Sequence, residues 1–323
     1  MKIFVSFPTY PQQREFLNHY FETETEIIFS EDYPQETKNS QILNSDIVFT
    51  TNPEKEGLYD PSISFENVKF IQLFTSGYDH VKLDQFPANV QIASNQGAYA
   101  EPMAEHAVAM ILALSKRLTV YHNQMAEGQF RQLESMTKSI NGSTFGIIGF
   151  GSIGKATARL LRPFGVKTIA INTSGKTNED IAFIGTLNDV DYVLKNSDIL
   201  LISCPLNDDT KELISKQKLE LMKEDAILIN LARGAVINQK DLFEHLKNHP
   251  DFYAGLDVWW VEPFMKGKFE IDYPFFDLPN LLGSPHNSAM VENSLTIGTE
   301  KAAANIKRFM LHESVVGLVH ANV

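Results

Sequence analysis

The sequence is poor in cysteine, in positive charge and in long apolar runs. Among 323 residues there is a single cysteine, Cys204. That excludes an internal disulfide and a thiolate cluster for zinc or iron–sulfur. Lys and Arg number 28 against 40 Asp and Glu, a formal net charge of −12. With no basic run longer than two residues, this balance argues against a nucleic-acid or anionic-membrane partner. The longest apolar stretch, 107–114, is less than half of the roughly 20 residues a membrane span needs. The N-terminal apolar run stops at Pro8 and is too short for a signal-peptide core. A reducing cytoplasm is the expected compartment. With 18 Gly and 14 Pro the chain is far from low complexity, and its length suits about two domains.

What the chain does contain is a series of short, β-rich apolar runs bounded by turn residues. They cover 2–6, 47–50, 70–73, 145–149, 168–171, 199–203, 226–230 and 253–257. Most are apolar throughout, as expected of parallel strands covered on both faces. Helical spacing marks 102–117, with Met103, Ala107, Met110, Ile111 and Leu114 on one side, and again 292–309. Strand–helix alternation of this kind predicts doubly wound α/β domains.

One glycine motif stands in the context its chemistry requires. Gly149-Phe150-Gly151-Ser152-Ile153-Gly154 follows the strand 145–148 and opens a helix reading from 155 to 161. The first glycine suits a tight turn, the second a close approach of pyrophosphate to the backbone, and the third close helix–strand packing. The helix N-terminus adds unpaired N–H donors and a favourable dipole. Gly149, Gly151, Ser152, Ile153 and Gly154 are therefore expected to bind a dinucleotide. The ribose reader should end the next strand, where Asn172 stands instead of Asp or Glu. Asn172 does not repel a 2′-phosphate, and Thr173, Ser174 and Lys176 offer hydroxyls and a cation, which favours NADP over NAD. The alternative is that Asn172 bonds the 2′-hydroxyl of NAD.

Three polar clusters follow later strands: Asn230-Leu231-Ala232-Arg233-Gly234, Asp257-Val258-Trp259-Trp260-Val261-Glu262-Pro263 and Ser284-Pro285-His286-Asn287-Ser288-Ala289. In open parallel sheets ligands lie at the carboxyl ends of strands, so Arg233, Glu262 and His286 are candidates for one site. Singly, each also reads as a surface ion pair, a solvated loop residue or a packed turn histidine. His245 and His249 stand four apart on a predicted helix, but no third ligand is nearby and no metal is expected.

These four motifs, in this order and spacing, resemble the D-isomer-specific 2-hydroxyacid dehydrogenase family. Thr75-Ser76-Gly77-Tyr78-Asp79-His80, Ala104-Glu105-His106 and Ser203-Cys204-Pro205-Leu206 add to the likeness, which covers essentially the whole chain. It implies a Rossmann nucleotide domain at 99–287 inserted into a flavodoxin-like substrate domain of 1–98 plus 288–323, with the active site in the cleft. It further implies that Arg233 binds the carboxylate of a 2-keto acid and polarises its carbonyl. His286 would be the general acid or base, and Glu262 would hold its other ring nitrogen. Backbone N–H groups of Ser76, Gly77 and Tyr78 would meet the substrate carboxylate. Cys204, Pro205, Thr210, Ala232, Asp257 and Ser288 would border the cofactor. The 75–80 loop resembles that of glyoxylate and hydroxypyruvate reductases, and family members are usually homodimers, with the 101–140 region packed on the partner. A nucleotide-sensing scaffold of the same fold, like certain corepressors, and a formate- or phosphite-type dehydrogenase are the alternatives. The Gln beside the histidine that marks formate dehydrogenases is not recognisable here.

Overall fold

A computed structural model of the chain describes residues 1–21 and 25–320. It contains two units, one made of the residues up to Tyr99 together with those from Val291 onward, the other of Ala100–Met290.

In the first unit β1 (Lys2–Val5), β2 (Glu26–Phe29), β3 (Ile47–Thr50), β4 (Phe70–Leu73) and β5 (Gln91–Ala93) form a parallel sheet in the order β5-β4-β3-β1-β2. The C-terminal strand Leu318–His320 extends it antiparallel to β5. This is the flavodoxin-like order. Because side chains alternate along a strand, Ile3, Val5, Phe49 and Phe70 fill one core with Ala302, Ala303 and Ile306 of the helix Ser294–Met310. Phe4, Val48, Ile71 and Leu73 fill the other. Both faces are buried, and so the strands read as mostly apolar runs rather than as alternating ones.

The second unit holds β6 (Thr144–Ile148), β7 (Lys167–Ile171), β8 (Phe183–Gly185), β9 (Ile199–Ile202), β10 (Ile227–Asn230), β11 (Tyr253–Leu256) and β12 (Leu281–Gly283). They form an all-parallel sheet in the order β12-β11-β10-β9-β6-β7-β8. This is the dinucleotide-binding Rossmann order, whose reversal lies between β6 and β9. Ala107, Met110, Ile111 and Leu114 of the helix Ala100–Ser115 pack with Phe145, Ile147, Leu201 and Ile229 on one face. Ile148, Ile202, Leu228 and Leu256 face the opposite core. Every β strand of this sheet runs the same way, so the loops after β6, β7, β9, β10, β11 and β12 emerge along one rim.

The sequence expectations differ from this architecture mainly at its margins. The strands at 26–29, 91–93, 183–185 and 318–320 lie outside the runs read from the sequence, being three or four residues long and at or next to a sheet edge. The long helix begins at Ala100, with Pro102 tolerated in its first turn, where the missing N–H has no intrahelical acceptor. The helix after the glycine motif begins at Ser152, not 155. Among the described residues no helix is long and apolar enough to cross a membrane.

Candidate active site

The glycine motif is shaped as its spacing implies. Gly149 has φ +96°, and a Cβ there would lie 2.5 Å from the Cys204 backbone nitrogen, so only glycine lets the turn after β6 meet the chain leaving β9. Ser203 closes that meeting, its hydroxyl donating to the Gly149 carbonyl at 2.9 Å. At Gly151 a Cβ would meet nothing within 4 Å, so the backbone faces open space at the start of the helix Ser152–Leu161. At Gly154 it would come within 2.9 Å of Ile147 on β6. A tight turn, an open cradle on a helix N-terminus and a close helix–strand contact suit a dinucleotide pyrophosphate.

Around the cradle, Asn172 ends β7 with its amide committed to its own turn. The side-chain oxygen accepts from the N–H groups of Ser174 (3.1 Å) and Gly175 (2.7 Å), and the nitrogen donates to the Lys176 carbonyl at 2.9 Å. Thr173, Ser174 and Lys176 are exposed. Cys204 is buried, which pushes its thiol up to about 11, so it is a packed thiol and not a nucleophile at neutral pH. Pro205 accepts through its carbonyl from the Thr210 hydroxyl at 2.7 Å, which closes the loop after β9.

The three charged candidates stand on neighbouring loops of the same rim. Arg233 follows β10, where buried Asn230 fixes the turn, donating to the Arg233 carbonyl at 3.0 Å and accepting from the Ala232 N–H at 3.0 Å. The next residue, Gly234, lies so close to the β11 loop that a Cβ would sit 2.4 Å from the Trp259 carbonyl carbon. That contact brings the Arg233 turn against the segment carrying Glu262. Glu262 is pinned by the Trp259 N–H at 2.6 Å through one carboxylate oxygen, and its other oxygen lies 2.6 Å from Nδ1 of His286. The imidazole is 40% exposed and the carboxylate 13%, so the pair has a sheltered anion and an open ring. His286 itself adopts the left-handed backbone, φ 53°, a conformation a non-glycine residue keeps only when its surroundings enforce it.

Asp257, at the end of β11, is fully buried, and its carboxylate is spent on the His286 loop. It accepts from the Ser284 hydroxyl (2.5 Å) and from the N–H groups of Asn287 (3.0 Å) and buried Ser288 (3.1 Å). Burial pushes its pKa up, but these hydrogen bonds outweigh that and hold it below the usual carboxylate range. The adjacent tryptophans part company. The Trp259 indole donates to the Ser284 carbonyl, while that of Trp260 donates to the Ile237 carbonyl and stacks on Phe275. In the first unit, the loop after β4 holds Ser76, Gly77 and Tyr78 half-buried, with the Ser76 hydroxyl on the Asn95 carbonyl at 2.7 Å.

Two residues of this second-unit network carried no functional reading of their own in the sequence. They are Ser284 and His106, whose Nε2 lies 3.0 Å from the Ser284 hydroxyl. The chain separation of 178 residues leaves no local signal for that pairing. His245 and His249 stack at 4.1 Å with the second ring on the first residue's carbonyl. Among the described residues no three His, Cys, Asp or Glu side chains are grouped to hold a metal.

Known proteins resemble the chain throughout. Residues 108–288, more than half of it, match the family described as D-isomer specific 2-hydroxyacid dehydrogenase, NAD binding domain. A glycerate dehydrogenase of Methylorubrum extorquens is 31% identical over 251 residues, 76% of each chain. A glyoxylate reductase of Thermococcus litoralis is 28% identical over 264 residues, 79% of this chain and 78% of that one. A solved structure of a D-isomer specific 2-hydroxyacid dehydrogenase family protein from Aeromonas salmonicida superposes with a TM-score of 0.80 over 98% of both chains at 22% identity, a likeness of fold. With the Rossmann strand order, the glycine cradle and these matches together, the chain belongs to the D-isomer specific 2-hydroxyacid dehydrogenase family, oxidoreductases that use a nicotinamide cofactor.

Proposed function

We propose that this protein transfers a hydride between NAD(P)H and a small 2-keto acid, with glyoxylate or hydroxypyruvate the favoured substrate and the D-2-hydroxy acid the product. The observation that carries the reading is the 2.6 Å pair of His286 Nδ1 and Glu262 beside the Arg233 turn. A carboxylate beside Nδ1 accepts that nitrogen's N–H as a hydrogen bond, which fixes the tautomer and leaves Nε2 for exchange with a reactant. In reduction, Nε2 gives its proton to the carbonyl oxygen; in oxidation it takes the hydroxyl proton back. Arg233 binds the substrate carboxylate with its planar fork and polarises the adjacent carbonyl. The N–H groups of Ser76, Gly77 and Tyr78 serve the same carboxylate, an assignment that rests on the family resemblance. Gly149, Gly151, Ser152, Ile153 and Gly154 cradle the pyrophosphate, with Cys204, Pro205, Thr210, Ala232, Asp257 and Ser288 around the cofactor. When bound, the nicotinamide supplies or accepts the hydride.

NADP is the favoured cofactor. The end of β7 carries no carboxylate to repel a 2′-phosphate, and Ser174 and Lys176 are exposed beside Asn172. The relatives named for glyoxylate reduction and glycerate oxidation support a short substrate. The test is a panel of glyoxylate, hydroxypyruvate, pyruvate and longer 2-keto acids with NADPH and NADH. The expected result is the highest kcat/KM for glyoxylate or hydroxypyruvate with NADPH. Asn172→Asp should then shift the NADPH-to-NADH preference at least tenfold toward NADH, about 1.4 kcal/mol. A native preference for NADH refutes the cofactor assignment, and no turnover with any substrate favours a nucleotide-sensing scaffold.

A homodimer is supported by Phe130, Leu133 and Met136, 74%, 92% and 74% exposed on the segment after the helix Leu118–Ala126. Three large apolar side chains left bare on one short segment suit a surface that a second copy covers. Light scattering at micromolar concentration should give twice the chain mass; the mass of one chain would rule the dimer out.

A further inference from the structure

We propose that His106 is a positioning residue for proton transfer, acting through Ser284 and Asp257 to hold the loop that presents His286. The inference deepens the reading of His286 as the acid–base group and rests on it. All four residues lie in the second unit.

The argument starts from the backbone of His286. At φ 53° it occupies a region unfavourable to a non-glycine residue, so the loop relaxes unless it is held on both sides. Asp257 supplies that hold. Its Oδ1 accepts from the Asn287 N–H and the Ser284 hydroxyl, and its Oδ2 accepts from the Ser288 N–H. The donors bracket His286, two residues before it and one and two after it. A buried carboxylate with these donors, and the Ser288 side chain besides, has little freedom to turn, and losing one donor exposes it to the penalty of an underbonded charge.

Two of these donors are backbone groups. The Ser284 hydroxyl rotates about its C–O bond, and His106 stands where it can orient it. A hydroxyl that donates to Asp257 still has lone pairs, and His106 Nε2 stands 3.0 Å from that oxygen. His106 Nε2 also lies 3.8 Å from Asp257 Oδ1, too far for a hydrogen bond. The chemistry consistent with both distances is an Nε2–H donated to Ser284, whose proton is thereby directed to Asp257. His106 sits in the middle of the helix Ala100–Ser115, anchored by Ala104, Ala107 and Ile111, all fully buried. The helix is thus a rigid reference for the loop. Trp259 adds a second tie from the other side, its indole N–H on the Ser284 carbonyl.

The consequence is specific. Loosening this chain of bonds displaces the imidazole relative to the reacting oxygen without removing any group that binds substrate or cofactor. Displacements of about 1 Å cost up to about 10²-fold in rate. His106→Leu should lower kcat about 10- to 100-fold while the substrate KM and the cofactor Kd, read from nicotinamide fluorescence, stay within twofold. His106→Gln, whose amide nitrogen can reach the same hydroxyl, should restore kcat to within about threefold of the native enzyme. Ser284→Ala should match His106→Leu, and the double variant should be no slower than either, because both cut one path. If His106→Leu fails to fold, Ser284→Ala and His106→Gln carry the test. Unchanged kcat in Ser284→Ala, or multiplicative losses in the double variant, overturns the proposal. His286→Asn is measured in parallel: a loss there with no loss in Ser284→Ala refutes the positioning role alone, whereas full turnover in His286→Asn refutes the acid–base reading beneath it.

Discussion

Replacing His286 with Asn is expected to lower kcat by roughly 10² to 10⁴-fold, the range an acid–base group contributes, with cofactor affinity unchanged. Asn is the informative replacement. It tolerates the left-handed backbone that His286 adopts, so the loop can keep its shape while the exchangeable proton is lost. It also keeps a polar nitrogen within reach of Glu262, which limits the cost of leaving the carboxylate oxygen that faces the ring without its partner. Steady-state rates with glyoxylate, set beside a fluorescence titration of the reduced cofactor, separate the two quantities. Turnover within tenfold of native at an unchanged cofactor Kd would remove His286 from the chemistry.

Arg233→Lys carries the second large effect. Lysine keeps the charge but presents a point cation where the substrate carboxylate calls for a planar fork. Each charge-assisted hydrogen bond is worth about 1.5–3 kcal/mol, so kcat/KM should fall by about 10² or more. The loss should appear in both kcat and KM, since the guanidinium both binds the acid and polarises its carbonyl. Because Asn230 and Gly234 set the turn through the backbone, the substitution leaves the loop in place and the melting temperature close to native. A kcat/KM ratio unaffected by the exchange would show that another group holds the carboxylate.

Much of this architecture is legible in the residues because burial on both faces writes a plain signal. Strands β3, β4, β9 and β10 are buried at every position, and each appears in the sequence as an apolar run with at most one polar residue, Thr50, Gln72 or Asn230. The pairing strand Glu26–Phe29 begins with an exposed residue, and Gln91–Ala93 and Phe183–Gly185 have three residues apiece. Their pairing is decided by neighbours distant in the chain, which composition does not record. The glycine motif is legible for a similar reason: each glycine answers a steric demand, and the strand and helix around it can be read independently. The convergence of Arg233, Glu262 and His286 is a matter of topology. Strand ends can be listed from the sequence, which makes the three candidates for one site, and the family resemblance supplies their separate roles. The left-handed backbone of His286 has no sequence signature, and neither does the His106–Ser284 bond, which joins a helix to a loop far along the chain.

The division of the chain has a consequence for biosynthesis. The first unit is completed only by residues beyond Val291: Ala302, Ala303 and Ile306 close one of its two cores, and the strand Leu318–His320 pairs with β5. A nascent chain on the ribosome therefore holds five parallel strands with one face covered only in part, by residues such as Leu17 and Phe21, throughout the synthesis of the nucleotide unit, whose last strand ends at Gly283. The inserted unit can finish folding while its host waits, and the helix Ser294–Met310 with the strand Leu318–His320 acts as the clasp that hides a surface otherwise open to aggregation.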